Sequence, residues 1–370
     1  MNGAPSPAAP GAGPESLALA RPIDGDDLAA AVAAGVVPAD TARALARFVA
    51  ARPADRPAET ASADEENVRF VTSFNDVFVT IGILLVGAAT VLILGEHSKV
   101  AASAATAVLA WGLSEVFSRH WKMAFPSIVL VAALTVSAGV FGATLADRLG
   151  APTGVSGIAA GAAALAAGAA HWRRFGVPIS IAGAFAGAGF LIFALLHGAF
   201  PGTLDDHSAP VLLILGLVAF GLAMWWDASD RERRTRRTDV AFWLHVLAAP
   251  AIVHPLIATA SGSVFGAVGT DRPATILAIY AGLALVALIV DRRALLVSGL
   301  LYLGVGTGTL IERLGWAAAS TGSVAAGLVG AVVLGLAVGW TPLRNLILRG
   351  TPASVRALVP PARLPLGRNR

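Results

Sequence analysis

The chain has 370 residues, of which 56% are hydrophobic and 14% are charged, and its formal net charge is +4. Soluble globular domains usually carry about 25% charged residues, so this composition excludes a chain that is soluble throughout. The sequence has no cysteine, which excludes disulfides and thiolate chemistry. Cytosolic loops that meet anionic lipid explain its basic balance, so we predict no nucleic-acid partner.

The N-terminal region is predicted to lie outside the membrane. Residues 1–20 are rich in Pro, Ala and Gly and are predicted to be disordered. They lack a basic segment followed by an apolar core, so we predict no cleavable signal peptide. Residues 21–52 are predicted to form a helical hairpin, in which Gly35 ends the first helix and Pro38 starts the second. Its small core would use five apolar side chains, those of Leu28, Val32, Leu45, Phe48 and Val49.

So small a core is barely stable by itself, and we therefore expect the hairpin to dock on the membrane domain or on a cytosolic protein partner. An acidic linker and a pre-membrane helix follow over residues 53–74. Residues 1–74 carry a net charge of −4 and residues 75–370 a net charge of +8.

Ten apolar segments occupy residues 75–340. Each is long enough to cross a hydrocarbon core of about 30 Å as a helix. Backbone groups in lipid must bond within their own segment, so we predict an all-α, polytopic transmembrane bundle. The predicted spans are 75–95, 100–117, 124–145, 152–171, 176–198, 209–226, 240–258, 274–290, 293–312 and 318–340.

The loops alternate in charge. Beyond residue 74, one side of the predicted membrane carries 17 Lys and Arg residues and the other side carries 4. The positive-inside rule makes the first side cytosolic, together with both termini. Arg outnumbers Lys 25 to 2, which is typical of GC-rich bacterial genomes, so we predict the bacterial inner membrane. The basic tail, residues 341–370, either lies on anionic lipid or is a disordered topogenic tail.

An internal match indicates duplication. Residues 139–150 (GVFGATLADRLG) and 304–315 (GVGTGTLIERLG) are identical at seven positions without a gap. We interpret spans one to four and seven to ten as a parallel repeat. Duplicated halves are common in transporters, although duplication is also a simple way to build a helical bundle.

The seventh span contains the most unusual residues, His245, Pro250, His254 and Pro255. Proline bends a helix and frees carbonyls, and an ionisable group inside a membrane is often functional. These residues are candidates for a transport path. The stronger expectation for His245 is a single hydrogen bond to a neighbouring helix.

Charged residues beside the spans give further candidates. Glu115 is predicted to lie near the inner interface and to pair with Arg119 four residues on. The matched pairs Asp147–Arg148 and Glu312–Arg313 are candidate gating or structural pairs at the outer interface. The favoured interpretation is that they are charged hairpin turns.

No catalytic motif is present, so we predict no enzyme activity and no cofactor. Outer histidines such as His207, next to Asp205 and Asp206, could bind a divalent metal, but a solvated loop is the stronger expectation. Glycines at four-residue spacing, such as Gly157 with Gly161, are expected to let helices approach closely.

The order of parts, a short hairpin containing AAGVVPADTARALARF followed by many spans, resembles a bacterial family of predicted membrane proteins of unknown function. That resemblance implies no activity and no site residues. We expect a scaffold or regulatory component of the inner membrane. The alternative is a secondary transporter or permease for a small solute.

Overall fold

The chain divides into two compact units, residues 1–62 and 63–370. The structure is a computed structural model, and the predictions for residues 1–20 and 53–73 lie outside the residues it describes. Throughout the described ranges, the regular elements are helical and no strand occurs. Those ranges are 25–51, 74–231, 233, 235–261, 273–297, 299–315 and 318–361.

The N-terminal unit contains two helices, α1 (Gly25–Ala33) and α2 (Ala39–Ala51). Gly35 has a φ of 70° between them, a left-handed conformation that favours glycine and ends α1. The amide of Ala42 bonds to the carbonyl of Pro38 at 3.0 Å, which places that proline at the start of α2. The described residues thus form the predicted helix–turn–helix.

The predicted core of this unit differs in the structure. Ala42 is buried, whereas Leu45 is 46% exposed and Val36 is 75% exposed. The side chains of Phe48 and Val49 lie outside the description. Among the described side chains, therefore, the small Ala42 packs between the helices and the larger Leu45 does not.

The second unit is a bundle of long apolar helices, most of which pack against the next helix in the chain. Its helices are α3 (Phe74–Gly95), α4 (Lys99–Ser114), α5 (Ala124–Arg148), α6 (Thr153–Phe175), α7 (Ile179–Ala199), α8 (Thr203–Ala228), α9 (Arg236–Ser261), α10 (Pro273–Val290), α11 (Ala294–Val297), α12 (Leu300–Arg313), α13 (Ala318–Gly350) and α14 (Ala353–Arg356). One π-helical turn, Glu115–His120, extends α4.

Nine helices within the described residues are long and apolar enough to cross a membrane, so the chain is a multi-pass membrane protein. The prediction of ten spans is not confirmed, because the predicted ninth span is interrupted. It consists of the four-residue α11 and the 14-residue α12, which is only about 21 Å long. Near this break Gly299 is buried against a neighbouring ring: a Cβ there would lie 2.9 Å from Cδ2 of Tyr280.

One end of the bundle collects the arginines that the sequence predicts to be cytosolic. A shared cavity there brings Arg119, Lys122, Gly176 and Arg236 together. Ion pairs also join the end of α8 to the turn after α10. We call this end the arginine end and the opposite end the far end. The grouping of basic residues agrees with the predicted alternation of loops.

The glycine spacing has different consequences in the first half of the bundle, α3 to α7, and in the second half, α8 to α13. A Cβ on Gly161 of α6 would lie 2.5 Å from the Cα of Leu191 in α7, and a Cβ on Gly187 would overlap the α6 backbone. The predicted close approach therefore occurs between these two helices. Gly304 and Gly335 in the second half have no other atom within 4 Å of the added Cβ, so they pack against nothing comparable.

The two matched segments end in turns of the same geometry. Gly150 and Gly315 have φ values of 75° and 81°, in the left-handed region that favours glycine. The preceding Leu149 and Leu314 have φ, ψ values of −83°, 3° and −79°, 3°. The longer repeat is not confirmed, because the predicted counterparts have different surroundings: the span window of α9 is 56% buried and that of α3 is 11% buried.

The last long helix, α13, extends ten residues beyond the predicted end of its span at Trp340 and contains Pro342. Arg344 within this extension is buried, as is Trp340 at the predicted end of the span. Both side chains contact the turn after α10, which explains why the helix continues where the sequence predicts a basic tail.

Candidate functional site

The most polar part of the interior is a three-residue cluster at the arginine end. Asp227 lies one residue before the end of α8, His245 lies in α9 and Arg292 follows α10. Arg292 donates through Nε to Asp227 at 3.1 Å and through Nη2 to the other carboxylate oxygen. His245 Nε2 lies 3.0 Å from Asp227 Oδ2. All three side chains are at most 2% exposed.

The contacts of this cluster show how deep in the bundle His245 lies. Asp227 and Arg292 stand at helix ends, and His245 contacts the first of them although it lies nine residues into α9. Nine residues correspond to about 13 Å of helix, so α9 starts well beyond the last turn of α8. His245 is therefore level with the ends of neighbouring helices and not with the middle of the bundle.

A second buried cluster surrounds Asp291, the residue that precedes Arg292. Arg233 contacts the Asp291 carboxylate at 3.4 Å, and Arg344 approaches the carboxylate at 3.6 Å. The indole N–H of Trp340 donates to Asp291 Oδ1 at 2.7 Å. Asp291 has a φ of 61°, a conformation unfavourable for a residue with a Cβ, and these three contacts stabilise it.

The segment after α13 is fastened to the same cluster. Arg344 donates to the carbonyls of Pro360 and Pro361 at 2.6 and 3.0 Å. Arg231 donates to the carbonyl of Val359 at 3.1 Å, and Val359 is buried. The part of the predicted tail that the structure describes is thus packed on the bundle, while residues 362–370 lie outside the description.

These contacts leave little room for ligand chemistry at the two clusters. Both oxygens of Asp227 accept hydrogen bonds from Arg292 or His245, which satisfies the carboxylate. Within the described ranges, no group of three His, Asp or Glu side chains could hold a metal ion. The arrangement is an interhelical ion-pair network that stabilises α8, α9, α10 and α13 against one another.

The candidate prolines of the seventh span do not interrupt it. Helix α9 runs continuously from Arg236 to Ser261 through Pro250 and Pro255. His254 in the same helix lies 2.6 Å from the hydroxyl of Tyr302 in α12, measured from Nδ1. This bond joins α9 to the second part of the interrupted span.

The first half has its own polar contacts at the arginine end. Glu115 pairs with Arg119 at 3.1 Å, as the spacing predicts, and also accepts two bonds from Arg174 at 2.8 and 3.1 Å. In the interior, the ring of His171 contacts the hydroxyl of Ser180 at 2.8 Å and that of Ser114 at 3.2 Å. These bonds tie α4, α6 and α7 together.

The predicted outer pairs lie in the last helical turns of α5 and α12, at the far end. The carboxylate of Asp147 accepts a hydrogen bond from the hydroxyl of Ser156, which closes the turn between α5 and α6. Arg148, Glu312 and Arg313 are exposed. The two pairs belong to different helices, α5 and α12, and a shared gate stays a prediction. The side chains of Asp205 and Asp206 lie outside the description.

The sequence patterns did not indicate Asp227 or Asp291, and Arg233, Arg292 and Arg344 entered only in the count of basic residues that sets the orientation. A usable signal exists for the two acids. Each stands at the end of an apolar span on the side that is rich in arginine, where an unpaired carboxylate would be costly next to lipid. Which arginine pairs with which acid is set by helix packing and cannot be derived from the spacing.

No protein-family model matches the chain, and no curated protein and no solved structure is significantly similar to it. The resemblance to an uncharacterised membrane-protein family therefore stays an expectation from the order of parts. Inferences about function depend on the geometry described above.

Proposed function

We propose that this chain is a scaffold or regulatory component of the bacterial inner membrane, with its N-terminal hairpin as a contact for a cytosolic protein. The observation that carries the proposal is that the buried charged side chains pair with one another across helices. Asp227, His245 and Arg292 bind one another across α8, α9 and the turn after α10. Such a network holds helices at fixed spacing, whereas transport needs packing that changes around a solute.

The hairpin supports the partner contact. It belongs to a separate compact unit, and it exposes the apolar side chains of Val36 and Leu45. Exposed apolar groups on so small a unit favour a binding role over independent stability. The opposite face of α2 carries Arg43, whose Nε donates to the carbonyl of Ala39 in its own helix.

A photo-reactive residue placed in the full chain in living cells tests this role. At Leu45 we expect a covalent adduct of one discrete mass, and Val36→Arg should remove it. Position 43 is the matched control, because residues two apart on a helix point about 200° apart. Equal labelling from both positions, or no adduct at Leu45 in cells, would reject recruitment by the hairpin.

A secondary transporter is the alternative, and one observation favours it. The Nδ1 atom of buried His245 has no hydrogen-bond partner among the described residues, and Pro250 and Pro255 follow in the same helix. A solute flux in proteoliposomes that His245→Ala abolishes, without a change in melting temperature, would favour transport. Loss of flux and of thermal stability together would favour the structural role.

A further inference from the structure

The arginine end contains a cavity of about 500 Å³ that the ion-pair clusters do not occupy. It lies between the π-helical turn Glu115–His120, the start of α5, the loop joining α6 to α7 and the first two turns of α9. Its polar wall consists of Ser118, Arg119, Lys122, Ser127, Arg236 and Asp239. We propose that this cavity binds the phosphate diester of an anionic phospholipid headgroup.

The charge of the wall favours an anion. Three cations, Arg119, Lys122 and Arg236, face one carboxylate, that of Asp239. Glu115 contacts Arg119 through a single guanidinium nitrogen at 3.1 Å, and a guanidinium has five N–H donors in all. Charge-assisted bonds from guanidinium and ammonium groups are the strong interactions by which proteins hold phosphate.

A buried hydroxyl supplies an independent indication of a ligand. Ser118 is 8% exposed, lines the cavity and has an Oγ without a hydrogen-bond partner among the described residues. Serines in the regular part of α4, such as Ser103 and Ser114, donate to carbonyls of their own helix. Ser118 stands in the π-helical turn, a wider turn that is frequent at functional sites.

The other side chains that line the cavity are apolar. They favour a lipid over a soluble phosphate compound as the ligand. Ile128, Phe175, Ile179 and Trp243 line the cavity beside the cations. An acyl chain would cover these groups, whereas a soluble phosphate compound would leave them unused. Basic pockets between spans at the cytosolic face are the usual sites of such headgroups. Asp239 can accept a hydrogen bond from a hydroxyl-bearing headgroup such as that of phosphatidylglycerol.

Lipid retention by the purified full chain tests the proposal. In detergent, we expect native mass spectrometry to show tighter binding of phosphatidylglycerol than of phosphatidylcholine. The double variant Lys122→Asn with Arg236→Gln should weaken phosphatidylglycerol binding about 25-fold, since each basic residue near an anionic lipid contributes a factor of about 5. Asn suits the left-handed backbone at position 122, where φ is 52°. The control Arg356→Gln removes an exposed cation outside the cavity and should change nothing.

Ser118→Ala separates ligand binding from a structural role. Without lipid, the melting temperature should stay equal or rise, because a buried unpartnered hydroxyl is removed. The shift that phosphatidylglycerol produces should nevertheless become smaller than in the wild type. Equal lipid binding by the double variant and by Arg356→Gln would overturn the proposal. It would also be overturned if inorganic phosphate gave the same shift as phosphatidylglycerol, because the site would then belong to a soluble phosphate compound.

Discussion

Helices α6 and α7 meet closely at Gly161, Gly168 and Gly187, whereas α8 and α9, which meet closely at Gly216, are also joined to the turn after α10 by buried charge. At Gly161 the backbones are so close that even a methyl group would overlap the neighbouring helix. At Asp227 the joining groups are long side chains whose contacts are directional. Packing between α6 and α7 therefore depends on volume, and the junction of α8, α9 and the turn after α10 depends in addition on the complete set of charges.

This difference predicts opposite sensitivities. Close backbone packing gains dispersion without burying an unpaired polar group, so it tolerates changes of charge nearby but no added atoms. A buried ion pair is stabilising only while both partners are present, and removing one leaves the other without compensation.

Asp227→Asn should have the largest effect. It leaves Arg292 buried, and removal of one partner of a buried pair destabilises a protein by about 3–5 kcal/mol. Unfolding of the purified chain by denaturant in detergent micelles measures the loss. Glu312→Gln, at an exposed carboxylate of the far end, is the matched control and should stay within about 0.5 kcal/mol.

A double-mutant cycle sharpens this test. Asp227→Asn combined with Arg292→Gln should recover part of the stability lost by the single variants, because the residues contact each other directly. Strictly additive losses would contradict the assignment of these residues to one network.

Gly161→Ala should destabilise the first half by about 1–3 kcal/mol, since its Cβ would lie 2.5 Å from the Cα of Leu191. Gly335→Ala makes the same chemical change where no atom lies within 4 Å, and it should raise stability by about 0.5–1 kcal/mol through helix propensity. Melting temperatures of the two variants, recorded in the same detergent, measure both changes in stability. Equal shifts in melting temperature would show that the glycine contact does not stabilise the packing of α6 against α7.

The positions of the helices could be predicted closely from the sequence, because helix formation by these segments depends on local sequence. Apolar runs of this length form helices in lipid whatever their neighbours, and the predicted span 75–95 corresponds to α3 within one residue. The exception is the predicted span 293–312. It carries no charge between Arg293 and Glu312, yet it breaks near Gly299, where the neighbouring Tyr280 ring leaves no room for a Cβ. That contact is between distant segments, so hydropathy cannot reveal it.

The candidate site was predictable in part. The sequence indicates that His245 bonds to a neighbouring helix, and it gives the Glu115–Arg119 pair through its four-residue spacing. It cannot give the partners Asp227 and Arg174, which come from other helices. Helical rotation and stagger decide such pairs, and both depend on packing along the whole interface.

Ser180→Ala should have a smaller effect, about 0.5–1.5 kcal/mol, because it removes one hydrogen bond to His171 between α6 and α7. Ser103→Ala is the control. Its hydroxyl donates to carbonyls of its own helix, so its loss should change the free energy of unfolding by only a few tenths of a kcal/mol. A larger effect at Ser103 than at Ser180 would show that the His171 contact does not stabilise the first half.

Glu115→Gln should have the smallest effect, at most about 1 kcal/mol, although Glu115 has two arginine partners. Its side chain is 33% exposed, and those of Arg119 and Arg174 are 55% and 42% exposed, so water and salt already screen the pairs. Raising the salt concentration to about 1 M shortens the Debye length to about 3 Å and should erase the difference from the wild type. The loss caused by Asp227→Asn should persist at that salt concentration, because its partners are buried. Equal salt dependence of the two variants would contradict the distinction between an exposed ion pair in the first half and a buried network in the second.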